Sequence, residues 1–151
     1  MLITTPTILC KYEPEQFHKL KTVASVGEPI SKYLADKWAA HVGSFWNCYG
    51  SSESTMVSAM SRHDHSQNIG HDICKGGGLS SGCPILMKRD GMTSIGRPIP
   101  NSILYVLDDR RRRQQPIGYV GSIWVGGHGI SNDYIGYSRR SYAVDPFLEK
   151  K

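Results

Sequence analysis

The stretch Trp46-Asn47-Cys48-Tyr49-Gly50-Ser51-Ser52-Glu53 decides the fold of this chain. Its first residues belong to a short aromatic-rich run, Ser44 to Cys48, that indicates a β-strand. An earlier run, Thr22 to Val26, indicates a buried strand, and a helix is predicted between the two. Strand, helix and strand in this order predict an α/β unit with parallel strands. Ligands bind at the carboxyl ends of the strands in such sheets, which is where Tyr49 to Glu53 fall.

The predicted helix begins at Pro29, because proline is favoured at a first helical position. Its apolar residues recur at i, i+4 and i+8, as on one face of a helix, and they are Ile30, Leu34 and Trp38, with Tyr33 beside them. Gly43 is predicted to end this helix. A shorter helix is predicted over residues 13–20, with Pro14 at its first position.

The residues from Tyr49 to Thr55 have the chemistry of an anion site. Small residues allow backbone N–H groups to approach an anion closely, and the serine and threonine hydroxyls add donors. Glu53 offers the hard oxygen that Mg²⁺ prefers. An ordinary turn after a strand remains the alternative interpretation.

Beyond Met60 the pattern changes twice. Residues 62–92 are polar, glycine-rich and aperiodic, which predicts a flexible insertion. From residue 93 onward the pattern is that of β-structure: Ile103 to Leu107 is apolar on both faces, which predicts a buried strand, and Val120 to Val125 follows as a second strand. We therefore predict three parts, an α/β part (1–61), the insertion (62–92) and a β-rich part (93–151).

Composition excludes several classes of protein. The chain has 151 residues, of which 39% are hydrophobic and 21% charged, which is ordinary for a globular protein and wrong for a disordered one. No apolar run is long enough to cross a bilayer, and Met1 to Cys10 lacks the features of a signal peptide. The net charge of +5 owes much to one run, Arg110 to Arg113. This run indicates a solvated turn, or else a partner-binding patch.

Cysteine and histidine usage points to a cytoplasmic protein without a zinc site. The four cysteines are irregularly spaced and form no CxxC pair, so free thiols are expected. A zinc site is conceivable from His63-Asp64-His65, His71, Cys74 and Cys83. Because these spacings match no standard zinc site, we disfavour it.

Five segments resemble, in the right order, the adenylate-forming (AMP-binding) ligases, in particular the adenylation domains of fungal nonribosomal peptide synthetases. They are Ala24 to Pro29, like the family's Gly-Gly-Glu turn; Trp46 to Glu53, like Asn-x-Tyr-Gly-Pro-Thr-Glu; Ser94 to Asn101 with Tyr105 to Asp108; Gly118 to Gly136; and Asp145-Pro146-Phe147. The resemblance covers most of residues 20–61 and 93–148. It implies part of the adenylate-forming fold: the end of a parallel α/β lobe and part of an antiparallel β-barrel-like lobe.

The resemblance also implies a reaction. The family activates an amino or aryl acid with ATP and Mg²⁺, then passes the acyl group to the phosphopantetheine thiol of a carrier protein. Neither nucleic acid nor a membrane is implied as a partner. Carried over by position, the nucleotide site comprises Gly27, Asn47, Tyr49, Gly50, Ser52 and Glu53, with Asn47 and Tyr49 on adenine, Ser52 on the α-phosphate and Glu53 on Mg²⁺. The acyl pocket comprises Ser25, Val26, Cys48, Met56 and Val57.

Several family features are absent from the sequence. Ser51 and Ser52 replace proline and threonine, Ser122 replaces a glutamate, and Asp133 stands where glycine is usual. The family's phosphate loop, ribose-binding aspartate and catalytic lysine have no counterpart in these residues. We therefore assign no catalytic residue and expect the chain alone to be inactive. The alternative is a non-catalytic binding module that uses the Arg110–Arg113 turn or an exposed sheet.

Overall fold

The computed structural model of the chain describes residues 1–64, 91, 93–108, 110 and 113–135. A five-stranded sheet forms its centre, with the strands in the order of the sequence. They are β1 (Leu2–Thr4), β2 (Thr22–Ser25), β3 (Ser44–Tyr49), β4 (Ala59–His63) and β5 (Arg97–Pro98). The first three strands are parallel, whereas β4 and β5 pair antiparallel. The predicted parallel α/β unit is thus confirmed, and an antiparallel extension adjoins it.

Helices cover the parallel strands. Helix α1 spans Pro6–Leu9 and α2 spans Lys32–Ala39. The hydroxyl of Ser31 accepts a hydrogen bond from the amide of Leu34, which satisfies one free donor of the first turn of α2. The core is one buried cluster of α1, α2, β2, β3 and the segment before α2: Leu9, Val23, Ile30, Leu34, Ala35, Trp38 and Phe45.

The predicted apolar helix face is confirmed for Leu34 and Trp38, whereas Ile30 is buried but precedes α2, and four further details of the helices are wrong. Tyr33 is 78% exposed, because it lies one position away from the face that Leu34 and Trp38 bury. Ser31 caps α2 where Pro29 was expected to open it, and the helix ends at Ala39, well before Gly43. The helix expected over 13–20 is only a 3₁₀ turn, Pro14–Gln16, because the backbone of Phe17 leaves the helical region at φ −119° and ψ 53°.

The second half of the described chain contains a separate two-stranded sheet of β6 (Ser102–Leu107) and β7 (Ser122–Gly127). The strands are antiparallel, as expected, with Leu104 opposite Val125. The expected full burial of β6 is wrong, since only Leu107 of this strand is buried and the rest is half-buried. The last strand also begins later than predicted, and Val120 is 95% exposed.

The two sheets do not divide where the sequence pattern changes. Arg62 and His63, from the range predicted as an insertion, lie in β4, and β5 pairs with β4 in the first sheet. Residues 65–90 and 92 lie outside the described residues, as does Asp145-Pro146-Phe147, so the three-part division stays a prediction. Among the described residues no helix is long and apolar enough to cross a membrane.

Candidate functional site

A cleft of about 150 Å³ opens at the carboxyl ends of β2 and β3. Topology places it there, because two parallel strands end side by side and the chain turns away from both. Its lining comes from the turn after β2, the end of β3 and the segment before β5: Gly27, Glu28, Pro29, Ile30, Asn47, Cys48, Tyr49, Gly50, Thr93 and Ile95. Five residues predicted for a site are therefore together: Gly27, Asn47, Cys48, Tyr49 and Gly50.

The side chain of Asn47 holds two walls of this cleft together. It is 5% exposed, and its Nδ2 donates to Thr93 Oγ1 at 2.9 Å and to the Ser94 carbonyl at 2.8 Å. The amide of Thr93 in turn donates to the Ile30 carbonyl at 3.3 Å. Both Nδ2 hydrogens are thereby used, and the oxygen is the polar atom that Asn47 can still offer to a ligand.

One wall of the cleft was not predicted from the sequence. Thr93 and Ile95 are buried, and Ile30, taken only as a core residue, lines the cleft as well. The sequence indicates only that regular structure resumes at Thr93 and Ile95, after the glycine-rich range. It does not indicate that Thr93 contacts Asn47, because the two residues are 46 positions apart.

Two glycines shape the cleft for different reasons. Gly27 has φ +92°, a left-handed conformation that side chains disfavour, although among the described residues an added Cβ would meet only Thr5 Cγ2, at 3.7 Å. At Gly50 space is the constraint, because a Cβ would overlap the Met56 carbonyl oxygen and lie 2.8 Å from Val57 Cα. The turn from residue 51 to 58 therefore packs directly against the end of β3.

Serine side chains build that turn. Ser51–Ser54 forms a capping box, in which the Ser51 amide donates to Ser54 Oγ at 3.1 Å. The buried hydroxyl of Ser58 donates to Ser54 Oγ at 2.7 Å. Thr55 and Met56 follow with φ of 52° and 77°. Left-handed conformations at two successive residues other than glycine are strained, and such strain is common in binding turns.

Glu53 lies on this turn beside the segment that follows β7. Its Oε1 accepts a hydrogen bond from the Tyr134 hydroxyl at 2.7 Å, and its carbonyl accepts one from the Ser131 amide at 2.7 Å. The hydrogen bond from Tyr134, with smaller contributions from the backbone amide of Glu53 and from Ser51, holds the pKa of Glu53 below its ordinary value. Glu53 is therefore a carboxylate at neutral pH.

A single carboxylate such as Glu53 suits a Mg²⁺ ion that phosphate also binds. It does not suit a metal ion whose ligands all come from the protein. No group of three or more histidine, cysteine, aspartate or glutamate side chains that could hold a metal occurs among the described residues. Mg²⁺ commonly binds one or two carboxylates, with phosphate oxygens and water completing the octahedron. Glu53 fits that pattern as a single carboxylate on a partly exposed turn, where phosphate oxygens and water can supply the other ligands.

The remaining predicted site residues lie outside the cleft lining. Ser52 is exposed on the turn, and Met56 is 57% exposed. Ser25 is fully buried, and its hydroxyl has no hydrogen-bond partner in the described part of the chain. Val26 and Val57 adjoin residues of the cleft without lining it. Of the five predicted acyl-pocket residues only Cys48 lines the cleft, and burial raises the pKa of its thiol.

The two alternative sites are only partly described. His63, a ligand of the disfavoured zinc site, contacts Asp36 Oδ1 through Nε2 at 2.7 Å, while residues 65, 71, 74 and 83 lie outside the described residues. Arg110 and Arg113 are exposed. The amide of Arg110 donates to Asp108 Oδ1 at 2.6 Å, which is typical of a tight polar turn. A partner for this turn stays a prediction.

Comparison with known proteins points in one direction. The family model for AMP-binding enzymes matches residues 1–135. The chain is 35% identical over 150 residues to adenylate-forming reductase 03009 of Coprinopsis cinerea, covering 97% of this chain and 12% of that protein. It is 30% identical over 145 residues to nonribosomal peptide synthetase echPS of Aspergillus ruber, covering 94% of this chain and 6% of that protein.

Solved structures agree with the sequence matches. A four-domain nonribosomal peptide synthetase, holo-AB3403 bound to AMP and glycine, superposes with a TM-score of 0.63 at 27% identity, covering 88% of this chain and 8% of that one. The N-terminal subdomain of Klebsiella oxytoca NpsA has the same fold, with a TM-score of 0.59 at 15% identity over 86% of this chain and 28% of that one. The chain thus spans 12% or less of the curated relatives named here.

Proposed function

The chain belongs to the AMP-binding enzyme family, and we propose from this membership that its cleft binds the adenine of ATP while Glu53 binds the accompanying Mg²⁺. Its sequence corresponds to part of an adenylation domain of the kind found in fungal nonribosomal peptide synthetases. The observation that supports the proposal most is the cleft itself, which gathers Gly27, Asn47, Tyr49 and Gly50 at the ends of two parallel strands.

Adenine is the base that this cleft suits. The ring of Tyr49 offers a stacking face that loses little conformational entropy on binding. Gly27 adds no side chain to the opposite turn, which leaves room for a flat base against the backbone. The Asn47 oxygen is an acceptor, so it suits the exocyclic amine of adenine and disfavours the carbonyl that guanine carries at the same position.

The turn beyond β3 suits the phosphates. The exposed hydroxyl of Ser52 can donate to the α-phosphate, and the carboxylate of Glu53 can bind Mg²⁺. Bound Mg²⁺ would supply charge neutralisation at the phosphate oxygens. The capping box of Ser51 and Ser54 holds the backbone of this turn. Ser52 and Glu53 would therefore already be in position when ATP·Mg²⁺ binds.

The whole protein, we propose, activates an amino or aryl acid as acyl-AMP and transfers it to a carrier-domain phosphopantetheine thiol. Cys48, which lines the cleft, is the first residue that we propose for the acyl pocket. Ser25, Val26, Met56 and Val57 are further proposed residues of that pocket. A cytoplasmic location accords with the free thiols of Cys10 and Cys48 and with a requirement for ATP.

The 151 residues alone are proposed to bind nucleotide without turnover. No lysine, arginine or histidine is among the described residues that line the cleft. Loss of one preorganised group that stabilises developing charge costs about 10²–10³ in rate. Amino-acid-dependent exchange of pyrophosphate into ATP should therefore be undetectable, and exchange with any amino acid would contradict this part of the proposal.

Thermal unfolding tests nucleotide binding. ATP·Mg²⁺ at about 100 times its Kd would add about 2.7 kcal/mol to the stability of the chain and raise its melting temperature. Tyr49→Ala should abolish this rise, and GTP·Mg²⁺ should give a smaller one. Tyr119→Ala is the matched control, because Tyr119 is 69% exposed on the loop before β7. An unchanged melting temperature with millimolar ATP·Mg²⁺ would overturn the proposed function.

A further inference from the structure

Residues after β7 contact the turn that carries Glu53 at three points. The Tyr134 hydroxyl donates to Glu53 Oε1 at 2.7 Å, and the Ser131 amide donates to the Glu53 carbonyl at 2.7 Å. Gly129, which precedes both residues in the chain, lies so close to the turn that an added Cβ would be 2.9 Å from Thr55 Oγ1. The segment Gly129 to Tyr134 is therefore docked along this turn by the main chain as well as by one hydroxyl.

The hydroxyl of Tyr134 reaches the one group of the turn that would meet a metal. Glu53 otherwise sits on a partly exposed turn, where a glutamate side chain samples many rotamers and would lose that freedom on binding. A donor fixed on Oε1 adds to the hydrogen bonds that the carboxylate receives from the backbone amide of Glu53 and from Ser51, and so selects one orientation of the carboxylate. Hydrogen bonds of this kind to a ligating carboxylate orient the ligand and raise metal affinity.

We propose that Tyr134 is the positioning residue for the Mg²⁺ carboxylate of this site, acting on Glu53 through the hydrogen bond between its hydroxyl and Oε1. This inference rests on the proposed function of Glu53. It extends the site by a residue that is 81 positions away in the sequence and belongs to the β-rich half of the chain. The backbone contact from Ser131 makes the docking of the segment independent of the hydroxyl.

Mn²⁺ as a paramagnetic substitute for Mg²⁺ allows a direct test on the full chain. Binding of the Mn²⁺·ATP complex is followed by electron paramagnetic resonance at equimolar Mn²⁺ and ATP, for the unaltered chain, Tyr134→Phe and the control Tyr119→Phe. Tyr134→Phe should bind Mn²⁺·ATP about 10-fold more weakly, and Tyr119→Phe should bind it as the unaltered chain does. The affinity for metal-free adenosine should be equal in all three, since adenine does not contact the carboxylate.

A second variant separates positioning from a loss of folding. In a Glu53→Gln background, Tyr134→Phe should cause no further loss of Mn²⁺ affinity, because the carboxylate on which it acts is gone. The Ser131 amide should keep its protection from hydrogen exchange in Tyr134→Phe. Equal Mn²⁺ affinity of Tyr134→Phe and the unaltered chain would overturn the inference, as would an equal loss in both backgrounds.

The same titration distinguishes this inference from the proposed function. Failure of the unaltered chain to bind Mn²⁺ with ATP would overturn the proposed function and the inference together. Normal binding by the unaltered chain with no effect of Tyr134→Phe would overturn the inference alone. A parallel loss of adenosine affinity and Ser131 protection in Tyr134→Phe would assign Tyr134 a structural role and so overturn the positioning role.

Discussion

The side-chain amide of Asn47 donates to the hydroxyl oxygen of Thr93 at 2.9 Å, deep in the cleft wall. Asn47 lies near the carboxyl end of the parallel strand β3, whereas Thr93 lies in the segment that leads to β5. Both residues are nearly inaccessible to solvent, at 5% and 6%. The bond therefore fixes the distance between two walls that the chain brings together from remote positions.

Replacement of Thr93 by valine should loosen this wall. Valine keeps the shape of threonine but removes the acceptor, so one hydrogen of the buried Asn47 amide loses its partner at a cost of about 1–3 kcal/mol. Chemical unfolding in urea measures the loss. Thr93→Ser keeps the hydroxyl and should retain most of the stability. Equal destabilisation by both substitutions would mean that packing of the methyl group, and not the hydrogen bond, matters here.

Gly50→Ala should damage both stability and nucleotide binding. Its Cβ would overlap the Met56 carbonyl oxygen, and displacing the turn should cost about 1–3 kcal/mol. Gly118→Ala is the matched control: Gly118 has φ +92°, and no atom of the described residues lies within 4 Å of an added Cβ, so only backbone strain of about 1 kcal/mol is expected. Urea unfolding and an ATP·Mg²⁺ thermal shift measure the two effects. A Gly50→Ala protein that binds ATP normally would contradict the role given to the close packing of Gly50 against the Met56 carbonyl.

Asp36 should make stability depend on pH below about 4. Partial burial raises the pKa of Asp36, but hydrogen bonds and charge interactions with Lys32 and His63 outweigh burial and leave the pKa below its ordinary value. The carboxylate form is thus favoured by folding, so its contribution is complete above the ordinary aspartate range and is lost as pH falls through the lowered pKa. Urea unfolding from pH 7 to pH 3 measures this dependence.

The variant Asp36→Asn should lose about 1 kcal/mol at pH 7 and show a weaker pH dependence than the unaltered chain. Asp64→Asn serves as the control, because Asp64 pairs with Arg62 at 3.2 Å on the surface, where ion pairs contribute little. Identical pH profiles for Asp36→Asn and the unaltered chain would show that the contacts of Asp36 with Lys32 and His63 do not cause the loss of stability at low pH.

The two described free cysteines should differ in reactivity. Burial raises the pKa of the Cys48 thiol, so less thiolate is present near neutral pH, and the side chain is also shielded inside the cleft. Cys10 is exposed. Peptide mapping after brief iodoacetamide treatment at pH 8 should show several-fold slower alkylation at Cys48 than at Cys10. ATP should slow Cys48 further and leave Cys10 unchanged. Equal rates at both positions would contradict the burial of Cys48.

The sequence pattern predicted the elements that bury a regular apolar face. Leu34 and Trp38 repeat at helical spacing and are buried as predicted. Strand β4 was missed because its inward face consists of Ala59, Ser61 and His63, residues that give no apolar alternation. Strand β1, Leu2–Thr4, has three residues, too few for any period to register.

For the candidate site, the sequence predicted neighbouring residues but not contacts between distant ones. Motif resemblance gathered the local set around Tyr49, because those residues adjoin one another in the sequence. The contacts of Asn47 with Thr93 and of Glu53 with Tyr134 span 46 and 81 residues. No local pattern encodes such pairs, since they depend on how strands and turns pack after the chain has folded.

The antiparallel return of β4 onto β3 has a consequence for the order of folding. Tyr49 pairs with Ala59 across a turn of nine residues, so the strand, the serine turn and Glu53 are joined by local contacts. Local contacts form quickly because little loop entropy is lost, whereas distant pairings form slowly. We expect the hairpin of β3 and β4, which carries Glu53, to form early in folding. The cleft wall that contains Thr93 should pack against it later. A nascent chain would then present the proposed phosphate-binding turn before it possesses a finished pocket for the base.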